Sequence, residues 1–328
     1  MNREQIIRRR MHGLYLSRKC GDLAELSRNL LGMHSWFYRN VAFSAVIRGA
    51  DIGGWKTVLT KTWLYGGRLH GAAYDELPRL LALSPGDEGF WGDAQMKAIA
   101  DEAISLMEDG VSSRAEMRRI FAGRYDHTTL ETAFSPWGGI FVNLARLGRV
   151  AFRDMASHDF DLVDREPMKT QDEVLPGLLR DYITAYGPAT LADAAWFFNF
   201  WREDKVKLKK FNVDEFSSFK YDGDLYFYID DPEGMNDIPE VTLLSGFDPL
   251  IVSYSQRSRF LPDEYKSSVI LKSGICNPTV AVNGRVEGLW NIKKGEPALE
   301  FFSEQPKRVR DAAYNLLDEM RWETAGRL

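Results

Sequence analysis

The side chains best placed to do chemistry in this chain are cations and aromatics that recur in glycine-marked, alternating stretches. Three such stretches lie before residue 230. The first runs from Lys61 through Gly66, Gly67, Arg68, Leu69 and His70 to Ala73. The second is Arg146, Gly148, Arg149, Val150, Phe152 and Arg153, directly after a helical pattern over Trp137–Leu147. The third is Phe219, Tyr221, Gly223, Leu225, Phe227 and Ile229, behind the basic run Lys205–Lys210. A helix followed by a two-stranded ribbon is the build of a winged helix. Its helix enters a major groove while the ribbon tip lies on the backbone or in the minor groove. The implied chemistry is phosphate contact, with Arg68 and Arg149 expected at ribbon tips. His70 reads either as a phosphate contact or as a half-exposed strand histidine.

Other chemistries find little support. Only Cys20 and Cys276 occur, so no disulfide framework is expected and a Cys-based zinc site is excluded. The five histidines, His12, His34, His70, His127 and His158, form no HxxxH pair. No metal and no cofactor are expected. Gly138-Gly139 lacks the Lys-Ser/Thr of a phosphate cradle, and there is no GxSxG elbow. No apolar run is long enough to span a membrane, and the N-terminal MNREQIIRRR is charged where a secretory segment is apolar. A cytoplasmic, nucleoid-associated monomer is expected.

The net charge of −5 conceals an asymmetry. Residues 1–80 hold 13 Lys and Arg against 6 Asp and Glu, while the remainder holds 29 against 41. A basic lobe on an acidic body can hold phosphates locally.

Periodicity predicts the elements that must position these residues. Helices are expected over 3–19, 23–31 (N-cap Asp22) and 37–48, then a hairpin through Gly66–Gly67. Further helices are expected at 93–109, 113–122 and 128–147, a ribbon at 148–155, and a charged linker over Phe160–Lys169. A third helical group covers Gln171–Tyr186, Thr190–Phe200 and Lys205–Lys209, with Thr190 and Asp193 as a capping pair. Beyond 218 the period becomes two, with strands at 219–229, 268–273, 278–283, 285–292 and 297–302. Asn283-Gly284 signals a type I′ hairpin. A closing amphipathic helix spans 305–322, with Val309, Ala312, Leu316 and Met320 inward. The fold class is α+β, mainly helical: tandem winged-helix domains with a β-rich C-terminal part. The boundaries are 1–84, 85–160 and 170–230 for three winged-helix units and 240–328 for the C-terminal domain.

Several segments resemble the winged-helix DNA-binding family that contains the bacterial alkylpurine and interstrand-crosslink DNA glycosylases. They are Leu31-Gly32-Met33-His34-Ser35-Trp36 with Arg39 and the helix to Arg48; Thr62-Trp63-Leu64 with Leu69-His70; Tyr186-Gly187-Pro188-Ala189-Thr190-Leu191-Ala192-Asp193; Leu243-Leu244-Ser245-Gly246-Phe247-Asp248-Pro249 continuing to Arg257; and Gly284 through Trp290. The third and fourth are the most specific. The resemblance implies monofunctional excision: hydrolysis of the N-glycosidic bond of a bulky or crosslinked alkylpurine in double-stranded DNA, with no lyase step. It also implies two water-holding polar side chains spaced i and i+2, which map onto His34 and Trp36.

That mapping departs from the family pattern, in which glutamine usually stands first and glutamine or aspartate second. An N7- or N3-alkylated purine is already a cationic leaving group, so the task is to hold water against an oxocarbenium-like sugar. A neutral imidazole, titrating near ~6.5 when unperturbed, can accept a proton from that water. Indole has one N–H donor and no acceptor, so Trp36 can stack or offer its face to a cation but cannot take a proton. His34 is equally readable as a hydrogen-bonded histidine at a helix start. Arg39 and Arg48 are expected to share a face near the site and contact DNA. Arg257 reads as a phosphate or salt-bridge partner, and Asp248 as structural support for its loop. Two alternatives stay open: a non-catalytic DNA-binding protein acting as lesion sensor or regulator, and a scaffold that sequesters a protein or small toxin.

Overall fold

The computed structural model describes residues 1–84, 86–167, 169–200, 212–230, 235–293 and 295–324. The basic run Lys205–Lys210 and the helix expected there lie outside the described residues. The fold is mixed α+β, with short antiparallel sheets. Its contacts gather into two compact units, one of Met1–Gly53 with Pro176–Leu328 and one of Gly54–Leu175. This division is coarser than the four serial segments expected from sequence, and it splits the first and the third of them.

In the larger unit the first helix, α1 (Arg3–Gly13), starts on Asn2 with a capping box to Gln5 and stops at Gly13. The expected continuation to 19 is absent. Gly13 lies so close to the Ala185 carbonyl that a Cβ would sit 2.3 Å from it, and Tyr15 turns left-handed. Next come α2 (Leu23–Asn29), capped by Asp22, a short strand β1 (Met33–His34), and α3 (Tyr38–Ile47). Of two later helices, Gln171–Tyr186 belongs to this unit from Pro176 onward and Leu191–Phe197 belongs to it entirely, with the Gly187-Pro188 turn between them. Thr190 and Asp193 form a reciprocal capping box there.

The third ribbon pairs Ser217–Tyr221 with Asp224–Tyr228 through a left-handed Asp222-Gly223 tip. A four-stranded antiparallel sheet follows, built from Val241–Leu244, Thr279–Val282, Arg285–Lys293 and Glu296–Phe301. Asn283 and Gly284 both take positive φ at its hairpin, as a type I′ turn demands. Residues 268–273 were expected to be a strand. Lys266–Val269 is instead a helical turn, a window too short for periodicity to separate the two. The closing helix Lys307–Thr324 buries Val309, Ala313, Leu317 and Met320 against Phe43, Val280 and Trp290. The inward stripe is therefore shifted from the expected Ala312 and Leu316, which are only partly buried.

In the smaller unit the first ribbon pairs Leu59–Leu64 with Arg68–Ala73, turning through Tyr65, Gly66 and Gly67, all at positive φ. The expected helix 128–147 is two helices, His127–Ala133 and Ile140–Arg146. Gly139 between them sits so tightly that a Cβ would lie 2.3 Å from the Ala133 carbonyl. The second ribbon pairs Val150–Phe152 with Phe160–Leu162, so the expected linker supplies a strand and the turn lies near residues 153–159. Trp63 packs with Phe152 and Phe160 in this unit's core.

Candidate active site

His34 lies on β1 and is half-buried, Ser35 is fully buried, and Trp36 and Phe37 are 41% and 45% exposed. From Met33 to Trp36 buried and more open side chains alternate, as on extended backbone, and the bend at Trp36 and Phe37 ends the alternation by exposing both rings. The His34 ring stacks on Phe247, with centroids 4.7 Å apart and planes 15° from parallel, and Phe37 lies 6.2 Å from the same ring. Two segments that are distant in sequence thus meet in an aromatic surface with an imidazole at its edge. Arg39, one residue into α3, is exposed beside Tyr38.

Phe247 reaches His34 because its turn is held in an unusual conformation. Phe247 has φ of +56°, a left-handed geometry that costs a bulky residue on the order of 1–3 kcal/mol. Asp248 holds the turn. Its carboxylate accepts from Ser245 N (3.2 Å), Ser245 Oγ (3.3 Å) and Leu250 N (3.0 Å), and from both terminal nitrogens of Arg48 (3.1 and 3.0 Å). Gly246 has no room for a side chain, because a Cβ would stand 2.7 Å from the Asn40 amide of α3. Trp290 donates its indole N–H to the Leu244 carbonyl at 2.9 Å. The turn and α3 are thus locked together.

This arrangement corrects the expectation for Arg48. Its side chain is wholly buried, and its nitrogens also donate to the Leu14 carbonyl (2.8 Å) and Ser44 Oγ (2.9 Å). No edge is left for a phosphate. Arg48 and Arg39 are nine residues apart on one helical pattern, but only Arg39 faces water.

The other expected contacts differ in availability. Arg257 is half-buried with its guanidinium 4.8 Å over Trp196, whose N–H donates to the Val252 carbonyl. In the smaller unit Arg149 is exposed, 4.0 Å from Glu166, and it stands at the base of its ribbon rather than at the tip. Arg68 is half-buried and donates to the Tyr65 carbonyl. His70 is buried, with Nδ1 2.9 Å from the Arg68 carbonyl. Burial, assisted by the Arg68 charge, pushes its imidazole down to about 3. It is neutral at ordinary pH and shielded from solvent, which removes it from the phosphate contacts.

The basic lobe is also largely consumed within the protein. Arg8 pairs with Asp237, Arg9 with Asp230 and Arg79 with Glu76, while Arg10 and Lys61 are buried. Sequence reading missed the role of Phe247 as the wall against His34. The available signal was that both rings belong to family-matching segments.

Among the described residues no three His, Cys, Asp or Glu side chains gather as metal ligands, and no helix is long and apolar enough to cross a membrane. Comparison with known proteins gives consistent findings. The family described as "DNA glycosylase AlkZ-like" matches residues 61–318; His34 and Trp36 precede that stretch. A curated relative, the interstrand DNA cross-link repair glycosylase of Streptomyces sahachiroi, is 26% identical over 264 residues, covering 71% of this chain and 70% of the relative. The solved structure of Streptomyces sahachiroi DNA glycosylase AlkZ superposes with a TM-score of 0.80 at 22% identity, covering 98% of this chain and 97% of that one. The two chains share a fold.

Proposed function

Because the chain belongs to the AlkZ-like DNA glycosylase family, we propose that it hydrolyses the N-glycosidic bond of bulky or crosslinked alkylpurines in duplex DNA, with His34 holding the water. The observation that carries this reading is the imidazole fixed against Phe247 at the edge of a solvent-exposed aromatic surface. The stacking restricts the ring plane, as a water-positioning group requires. In the proposed step the water oxygen bonds to C1′ as the C1′–N bond breaks. The water proton passes to the His34 imidazole, and the alkylated purine leaves uncharged because it entered as a cation. Trp36, lacking an acceptor, shapes the surface and stacks. Arg39 and Arg149 contact the DNA backbone, with Arg68 and Arg257 in lesser roles, on tandem winged-helix units.

The test is formation of abasic sites in duplexes carrying N7-alkylguanine or N3-alkyladenine. His34→Ala is expected to lower the single-turnover rate by about 10²-fold or more while leaving duplex affinity unchanged. An equally fast variant moves catalysis elsewhere. The absence of an acceptor at Trp36 favours one second reading, a lesion-binding protein without chemistry. Salt-steepened duplex binding with no excision of any alkylated base would select it.

A further inference from the structure

The four-stranded sheet of the larger unit ends on the strand Val241–Leu244, which bonds Thr279–Val282 on one side and no described strand on the other. The Asn283 N–H donates to the Glu240 carbonyl at 2.9 Å, one step before Val241 meets Val282 in the register. In an antiparallel ladder, bonded and unbonded pairs alternate. Glu240, Thr242 and Leu244 therefore turn their backbone groups into the sheet, and Val241 and Leu243 turn theirs outward. Natural proteins blunt such edges with lysine, proline or a bulge. The sequence Val-Thr-Leu-Leu has none of these, and its register runs without a shift.

Beside this edge lies a cavity of about 560 Å³, a size at which ligands are held. Val241, Thr242 and Leu243 all line it. Successive side chains of a strand point to opposite faces, so a cavity that meets all three meets the strand edge-on. Val46 and Ile47 of α3 and Leu316 of the closing helix give it an apolar wall. Two charges of each sign also line it, Arg18 and Lys19 with Glu319 and Glu323. Arg18 is held by the His12 carbonyl and the Tyr15 ring. Glu319 and Glu323 are exposed and four residues apart on one helix, where like charges repel. Arg321, which lies between them in sequence, pairs with Glu296 and Asp318 instead.

From this edge we infer a docking site for an extended segment of a partner protein, which adds to the sheet as a fifth, antiparallel strand. Residues of the segment directly opposite Val241 and Leu243 share their face, the one packed on the closing helix. Those positions take apolar side chains against Val46, Ile47 and Leu316, and a lysine that relieves Glu319 and Glu323. A carboxylate elsewhere in the segment answers Lys19. The balanced charges give a polyanion such as DNA no net attraction here, so the partner is a peptide of mixed charge.

The experiment measures fluorescence anisotropy of a labelled, end-blocked peptide, Thr-Val-Glu-Lys-Glu-Val-Thr, with the full chain. Binding is expected with a Kd below about 1 mM. N-methylation of the Val and Lys amides, which face the edge, is expected to abolish it, while N-methylation of the two Glu amides, which face away, leaves it. Glu319→Lys combined with Glu323→Lys should weaken binding about fivefold. In the parent chain, hydrogen exchange at the Val241 and Leu243 amides should be faster than at Thr242 and Leu244, and the peptide should slow only the first two. Absence of binding overturns the site, as do equal effects of the two methylation patterns. Self-association of the chain that the peptide does not reverse also overturns it, by assigning the edge to a second copy.

Discussion

Two buried arginine–aspartate pairs, both in the larger unit, show how differently the same residue types are used. Arg48 and Asp248 meet in a two-pronged contact at 3.0 and 3.1 Å, and the charged edges are filled by protein donors and acceptors. Arg10 and Asp193 stand 3.7 Å apart; Arg10 leans on the Pro188 carbonyl and the Tyr254 face, while Asp193 serves a helix cap and Ser255. Each aspartate comes from one of the two most family-like segments, and each arginine from an N-terminal helical pattern. The pairs therefore anchor those segments to the N-terminal helices rather than perform chemistry. The tighter pair sits directly behind the Phe247 turn against which His34 is stacked.

The largest effect that tests this contrast is Asp248→Ala. It strands a buried guanidinium and releases three turn donors, so a loss of about 3–5 kcal/mol is expected in denaturant unfolding. His34 should lose its ring contact even where the chain stays folded. Asp193→Ala should cost less, about 2 kcal/mol, mostly lost capping and the Ser255 bonds, because Arg10 keeps Pro188 and Tyr254. Equal losses in the two variants would erase the distinction.

Gly246→Ala, pressed against the Asn40 amide, should cost about 1–3 kcal/mol. Adding Asn40→Ala should recover part of that loss; no recovery would mean that the crowding lies elsewhere. A pH-dependent effect concerns the buried imidazole of His70 in the smaller unit. His70 is held down to about 3, against ~6.5 when unfolded. Below ~6.5 the unfolded chain binds a proton that the folded chain refuses. The stability associated with neutral His70 is therefore complete above that pH and declines as pH falls toward 3. His70→Gln should flatten the melting temperature between pH 6.5 and 4, and an unchanged slope would assign the acid sensitivity to other groups.

Local signals were legible where local physics decides. Asp22 and Thr190 cap the helices they precede, Asn283-Gly284 makes its hairpin, and the first and third ribbons are paired strands. Legibility failed where a neighbour intervened. Gly139 against the Ala133 carbonyl divided an expected helix, and Phe160–Leu162 became a strand by pairing with Val150–Phe152. The charge count of the N-terminal lobe misled because a side chain's charge says nothing of its partner. Arg10, Arg48 and Lys61 are internal.

The sequence alone determined the inventory: an imidazole and an indole two residues apart, the short β patterns, the helix caps, and the segments that mark the family. All of these depend on residue identity over a few positions. Tertiary structure alone decided that His34 lies on Phe247, that Arg48 serves Asp248 instead of a phosphate, and that His70 is neutral. Such outcomes depend on burial and on partners 200 or more residues away, because desolvation and hydrogen bonding are properties of the packed environment rather than of the chain.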